Sequence, residues 1–433
     1  MRRLAIVVTA ALCALAPTIS AQPAATQPAA DANPPGYDFT PVAKALIAVA
    51  SCGGGAIPEG FPTARVEQHC AAIKETQRAY SESWVKIAKP WFAEHVPANI
   101  PKKVVYPFAG GDLSTALTVY PDADEITTLS LEPAGDPRTL EVLRQNPGRV
   151  KESKAKAKPE KPKMTGENYD PEIDTIGTTP EIIQGKQGLD RALAVIQYEL
   201  HFLYHVNFSN TLNMIDAMRG GQLPTQLVFG LSALQVHGYE VVSLRYFKLS
   251  KTGEIEYLTD ADIHKAPDPL KGKASLNNSI FANAELRFKK PGGRVQIYRH
   301  IQVNLDDDHL KKDPRVIKHL ELKGDVSGMT KAASYLLSWT QFQTIRNYML
   351  GHVQWMVSDA TGIAPKWGTP AGFTYETYGD FAKAHIGAGN GIAPEWKAEW
   401  EKEPKRPLPF RFGYYDGTKA HSNHLVIMKK ATK

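Results

Sequence analysis

Between Thr63 and His95 apolar residues recur at Val66, Cys70, Ile73, Tyr80, Trp84, Ile87 and Trp91. That spacing of three to four predicts a long amphipathic helix with one apolar stripe, broken near Pro90. The period then changes. Lys103 to Phe108 reads as a short buried strand, Gly110 and Gly111 as a turn, Leu113 to Tyr120 as a helix capped by Asp112, and Ile126 to Leu131 as a second strand. So short a helical crossover predicts a βαβ unit with two parallel neighbours. Helical patterns follow at 188–206, 207–219 and 223–236, and again near 313–322 and 330–357. Strand patterns cover Glu240–Leu249, Ile255–Leu258, Asn283–Lys289 and Val295–Leu305, and Phe410–Tyr415 with His424–Lys429 as a final antiparallel pair. The stretch 361–394 is rich in glycine and proline and reads as loop. A parallel unit early and hairpins late give the expected class: α/β, a mixed sheet flanked by helices, with an N-terminal helical extension over 40–100.

The chain's opening changes the picture of where this domain works. Arg2 and Arg3 precede an apolar run from Leu4 to Leu15, and small residues at Ser20 and Ala21 precede Gln22. This layout predicts a cleaved signal peptide over 1–21 and a secreted or periplasmic protein. An Ala/Pro/Gln-rich linker, 22–39, cannot bury enough surface to offset its ordering entropy, and 40–433 reads as one large elaborated α/β domain. No later stretch approaches the roughly 18 unbroken apolar residues of a membrane span. In an oxidising compartment Cys52 and Cys70 are expected to form a disulfide; their spacing does not suit a redox pair. The formal charge of +6 is local: Arg2 and Arg3 carry part, and six lysines against two glutamates between 150 and 164 carry the rest. That tract reads as a disordered basic insertion, 150–168, and the neutral remainder gives no clustered basic face for nucleic acid.

The most informative stretch is Val104 to Glu132. Tyr106-Pro-Phe-Ala-Gly-Gly-Asp112 places a glycine-rich turn after the first strand, and Glu132 ends the second, 21 residues after Gly111. This resembles the class I, S-adenosylmethionine-dependent methyltransferases, including the Pro-Phe-Ala-Gly form of amino-group methyltransferases. The likeness implies a Rossmann-like sheet whose glycines let backbone approach a ligand and whose acid holds ribose hydroxyls. Tyr106 stands where the motif usually opens with an acid, Asp112 where it closes with a glycine, and no Asp/Asn-Pro-Pro-aromatic motif follows. Export also separates the chain from S-adenosylmethionine, a cytosolic metabolite, so the scaffold is expected without the donor. A second resemblance rests on Tyr-Pro-Phe-x-Gly-x-Asp, Leu-Glu-Pro-x-Gly, Val-Asn-Leu-x-Asp, Ala-Ser-Tyr-Leu, Ile-Arg-Asn and Asp-x-Thr-Gly-Ile in this order. The chain is similar in these to a family of exported bacterial proteins without an assigned activity, which implies a shared fold and no mechanism.

Other groupings have bland and sharp readings. Asn304, Asp306, Asp307, Asp308 and His309 follow a strand; calcium suits such oxygen-rich loops, but the spacing favours acids that cap the next helix. His201 and His205 share a helix face near Glu199, without H-E-x-x-H or a third zinc ligand, so no metal site is assigned. Ser232 lacks a G-x-S-x-G elbow, and Lys331 with Ser334 reads better as a packed helix face than as a serine–lysine hydrolase. The expectation is a small ligand, or a protein partner, at the carboxyl ends of the first two strands. Its candidate residues are Tyr106, Gly110, Gly111, Asp112, Ser114 and Glu132, with Asn304, Asp306 and Asp359 outside them. The alternative is an exported enzyme, a hydrolase or residual transferase, with no catalytic set assembled from sequence.

Overall fold

The computed structural model describes residues 33–148, 181–206, 223–269, 280–381, 393–402, 404–413 and 423–431. The expected signal peptide, most of the linker, the basic insertion and the 207–219 helix lie outside them. From Asn33 onward contacts group the chain into one unit. Helix α1 (Thr40–Leu46) runs into a π-turn, Ile47–Ser51, followed by Cys52 in the left-handed region (φ 63°). Cys52 is bonded to Cys70 on α2 (Thr63–Tyr80), with Cα atoms 5.1 Å apart. The expected break at Pro90 does not occur: Pro90 lies inside α3 (Lys86–His95). A π-turn at Ser81–Val85 takes up the change of register upstream, so Trp84, Ala88 and Phe92 all stay buried on one side.

Strand β1 (Lys103–Pro107), helix α4 (Leu113–Val119) and strand β2 (Glu125–Ser130) form the expected βαβ unit, with Val104 beside Ile126 and Tyr106 beside Thr128 in parallel register. Helices α5 (Thr139–Gln145), α6 (Gly188–Val206) and α7 (Thr225–Val236) precede β3 (Glu240–Leu249), β4 (Ile255–Tyr257), α8 (Asp260–Lys265) and β5 (Asn283–Lys289), with β3 pairing antiparallel to both β4 and β5. Strand β6 (Val295–Gln302), α9 (Asp307–Lys312) and α10 (Arg315–Glu321) follow. The 330–357 region is not one helix. It holds a 3₁₀ segment over Ala332–Ser338, a second over Thr340–Phe342, α11 (Gln343–His352) and β8 (Val353–Ser358), preceded by β7 (Val326–Met329). The Gly/Pro-rich stretch contains α12 (Pro365–Gly368) and β9 (Phe373–Gly379), then α13 (Ala393–Lys402). The expected final antiparallel pair is also corrected: Phe412 makes a single parallel bridge to Asn423, and β10 (His424–Lys430) pairs antiparallel with β8 and β9.

One ten-stranded sheet results, in the order β4-β3-β5-β6-β2-β1-β7-β8-β10-β9. Its centre, β6-β2-β1-β7-β8, is parallel, and chain order reverses between β1 and β7. This is a Rossmann-like α/β sheet with antiparallel extensions at both margins. Alternation along each strand feeds two cores. Val104, Tyr106, Ile126, Trp355 and Val357 face a core built with α1 to α4, α6 and α7; Val105, Leu129, Ile301, Met356 and Met428 face one built with α9 to α13. Helix α7 is apolar nearly all round because it is enclosed between the sheet and the N-terminal helices. Among the described residues no helix is long and apolar enough to cross a membrane.

Candidate functional site

In open α/β sheets ligands bind beyond the carboxyl ends of the strands where chain order reverses. Here the loops after β1, β7 and β8 meet at that place. Asp112 caps α4, accepting from the Thr115 amide (3.3 Å) and hydroxyl (2.6 Å) through Oδ1. Its Oδ2 takes the Lys331 ammonium at 2.5 Å and the Tyr106 hydroxyl at 3.1 Å. Lys331 also donates to Thr115 Oγ1 (3.1 Å) and lies 5.4 Å from the centre of the Phe412 ring. From the loop after β8, Asp359 accepts from the Ala332 amide (2.9 Å) and from the Thr361 amide (2.9 Å), holding Ala332 in the left-handed region at φ 56°. Tyr106, Asp112, Lys331 and Asp359 are all buried, so these side chains fill the crevice. Burial pushes the Tyr106 phenol well above its ordinary value, and the Asp112 charge adds to the effect.

The other expected residues of this region, Gly110, Gly111, Ser114 and Glu132, are equally enclosed. Gly110 sits at φ 53°, and its carbonyl accepts from Gln226 on α7. A Cβ on Gly111 would meet Phe229 Cδ2 at 2.2 Å, so the glycine serves close packing of α7 on the turn. Ser114 Oγ lies 3.1 Å from His237 Nε2, a ring that burial depresses to about 3. Glu132 is 0 % exposed and its carbonyl lies 2.7 Å from His300 Nε2. Its charge also acts on Glu199 of α6, whose carboxyl is pushed up to about 8, by burial first and by Glu132 second. A nucleotide or S-adenosylmethionine needs an approachable glycine backbone and an accessible acid at this position. The residues present do not fit such a ligand, because Phe229 occupies the first and Glu132 is sealed.

The open space lies beside this crevice, at the carboxyl ends of β2 and β6. A cleft of about 530 Å³ is lined by Leu131, Phe247, Ile301 and Val303 on its apolar walls and by Asn304, His309, Lys312 and Arg315 on its polar side. Leu131 is 43 % exposed although it is large and apolar. Of the expected residues the structure therefore unites Tyr106, Gly110, Gly111, Asp112, Ser114 and Asp359 around the closed reversal. Glu132 lies under α6 and α7, and Asn304 belongs to the cleft. Asp306 stands at the cleft's edge, where it caps α9 through the His309 amide (2.8 Å) and holds His309 Nδ1 at 2.7 Å. Asp306 thus caps the next helix as expected, whereas Asp307 accepts from the Gln343 and Thr344 amides at the start of the distant α11, a contact its spacing does not foretell. Sequence reasoning missed Phe247, Lys312 and Arg315, which come from three separate elements and share no motif.

Other candidates resolve by geometry. Ser232 is buried inside α7, bonded to Tyr204 (2.9 Å) and Gln77 (2.8 Å). Lys331 and Ser334 do not share a helix face: Lys331 is extended (φ −158°) and turned to Asp112, while Ser334 bonds Thr361 at 2.8 Å. The His201 and His205 rings stack 5.7 Å apart, and among the described residues no group of three His, Cys, Asp or Glu side chains forms a metal site. At the opposite, amino-terminal edge a buried charge network joins Glu125 to Lys323 and Arg299, and Arg299 to Glu285 (2.8 Å). Burial alone would raise the Glu125 carboxyl, but the two cations outweigh it and hold it far below its ordinary range. No protein-family model, curated protein or solved structure matches this chain.

Proposed function

We propose that this chain is an exported small-ligand-binding protein on a methyltransferase-like scaffold, with its site in the cleft beside Leu131 and Asn304. One observation carries the reading: the carboxyl edge of the sheet is closed by the Asp112–Lys331 pair at the reversal, and open, at about 530 Å³, one strand farther out. That volume is in the range of sites for small organic ligands, and its mix of apolar wall and few polar groups is the usual composition of such sites. The scaffold part of the reading is supported by the parallel run β6-β2-β1-β7-β8 with its reversal between β1 and β7, the arrangement of a Rossmann-like sheet, and by the glycine turn and acid that the 104–132 motif puts after β1 and β2. Its glycine turn and terminal acid are used for packing, which suits a fold kept without its donor. Export is supported by the pattern of residues 1–21 and by the Cys52–Cys70 bridge.

Amide hydrogen exchange of the chain mixed with a set of small organic acids, alcohols and amines tests the site. Protection of peptides covering 280–283 and 301–316 is the expected result. Protection confined to 106–115 and 330–335 would return the site to the reversal, and no protection by any compound would overturn ligand binding.

A further inference from the structure

The loop after β7 helps to close the reversal, yet it is held lightly to the rest of the fold. Thr330 makes the last backbone bond to the sheet, from its amide to the Val357 carbonyl (3.0 Å). Between Lys331 and Trp339 the backbone–backbone hydrogen bonds among the described residues are local, joining Ser334 to Lys331 (3.4 Å), Trp339 to Leu336 (2.9 Å) and Phe342 to Trp339 (3.3 Å). Side chains tie the segment to its neighbours. Asp359 takes the Ala332 amide, the Ser334 and Thr361 hydroxyls meet at 2.8 Å, and Arg346 Nη1 reaches the Leu337 and Trp339 carbonyls at 2.7 and 3.1 Å. Leu337 is buried in the core under α11, while Trp339 at the far end is exposed. The segment also begins in strain. Ala332 sits at φ 56°, and Phe108, whose ring meets that of Phe342 edge-on at 5.6 Å, sits at φ 58°. Left-handed backbone is unfavourable for any residue with a Cβ and most for a bulky one. Of the three non-glycine residues with positive φ among the described residues, two thus lie in the loops that meet at the reversal.

We propose that Ala332–Trp339 is a gate: it swings as a unit about its two ends while the sheet stays folded, and its opening exposes the Lys331 ammonium and the Asp112 carboxylate at the carboxyl edge where β1 and β7 part. Opening breaks few backbone bonds, releases Ala332 from its left-handed conformation and uncovers little apolar surface besides Leu337. Unfolding the sheet gives up both cores. The gate therefore opens at a free energy well below that of global unfolding, as segments with few bonds to the body do. The closed pair is then the resting state of the reversal and not a fixed plug, and this holds whether or not the cleft beside Leu131 binds a ligand.

Acetylation of the full mature chain by a water-soluble succinimidyl ester, read residue by residue by peptide mass spectrometry, tests the gate. Lys323 is the internal reference: its side chain is 4 % exposed and held by Glu125 at the opposite edge of the sheet, so it reports global unfolding. Lys331, 0 % exposed, should nevertheless react at least about ten-fold faster. Urea up to about 1 M should speed Lys323 and leave Lys331 nearly unchanged, because the gate exposes little surface. Replacing Cys52 and Cys70 by alanine should speed Lys323 alone, since that bridge belongs to the other core. Ser334→Ala, which removes the bond to Thr361, should speed Lys331 about five-fold. Ala332→Gly, which relieves the strain of the closed state, should slow it about three-fold. Equal rates for the two lysines with equal urea dependence would mean that Lys331 is reached only by global unfolding, and the gate is overturned. A fast Lys331 that ignores both Ser334→Ala and Ala332→Gly overturns it too, because the opening then lies in another wall of the crevice.

Discussion

The ion pair that closes the reversal gives the sharpest test of the structural argument. The Lys331 side chain is 0 % exposed and that of Asp112 is 3 % exposed, so each charge depends on the other. In Asp112→Asn the helix cap survives, since asparagine caps as well as aspartate, but the ammonium keeps only Thr115 Oγ1 and the Phe412 ring. Stranding a buried charge in this way costs about 3–5 kcal/mol, and the variant should lie near the upper end. Lys331→Met leaves Asp112 with three donors, the Tyr106 hydroxyl and the Thr115 amide and hydroxyl, so about 3 kcal/mol is expected. The double variant removes both charges and should cost about as much as the worse single one, giving a coupling of about 3 kcal/mol. Urea unfolding followed by tryptophan fluorescence, with the disulfide intact and a constant slope, measures all three. Costs below about 1 kcal/mol, or additivity within about 0.5 kcal/mol, would refute the reasoning. The pair would then be solvated, and the reversal would be open to a ligand after all.

Acid should destabilise the fold before its carboxylates titrate. His69 and His300 are depressed to about 4 and His237 and His319 to about 3, all by burial first, against an ordinary 6.5. Their contribution is full above pH 6.5 and falls between there and pH 4, because only the unfolded chain takes up protons; unfolding midpoints across pH 7 to 4.5 should decline, and a flat profile would contradict the burial. Glu199 has the opposite sign: its carboxyl, raised to about 8, stays protonated when folded, so its contribution is full below about pH 4.5 and is lost as pH rises toward 8. Glu199→Gln should therefore stabilise the protein more at pH 8 than at pH 5, and equal effects at the two values would count against it. Replacing Cys52 and Cys70 by alanine should cost about 2–4 kcal/mol in urea unfolding, with reductant giving the same loss in the parent chain and none in the variant.

Wherever one face of an element meets water, or a turn residue carries a distinct backbone need, the pattern of residues was sufficient. The α2 stripe, the Asp112 cap, the β1–α4–β2 unit and the β5–β6 hairpin all follow from spacing, glycine turns and capping chemistry, whereas in α3 the π-turn at Ser81–Val85 moves the buried face from the expected Ile87 and Trp91 to Ala88 and Phe92. Strands β7 and β8 did not show themselves, although they are two of the five strands of the parallel centre. Val326–Met329 is four residues buried on both faces, and Val353–Ser358 follows α11 without a turn, so neither alternates and an apolar run of that length suits a helix as well. Only their neighbours in the sheet decide between the two conformations. The same holds for the site. Glycines and an acid after two parallel strands are determined locally, but whether they face a ligand or a side chain depends on residues distant in sequence, Phe229, Glu199 and Lys331. These close the expected crevice, while Phe247, Ile301, Lys312 and Arg315 leave a cleft beside it. Local sequence sets backbone conformation and periodicity through short-range sterics and hydrogen bonding; which cavity stays open is set by how long-range packing fills space, and that exists only once the chain has folded.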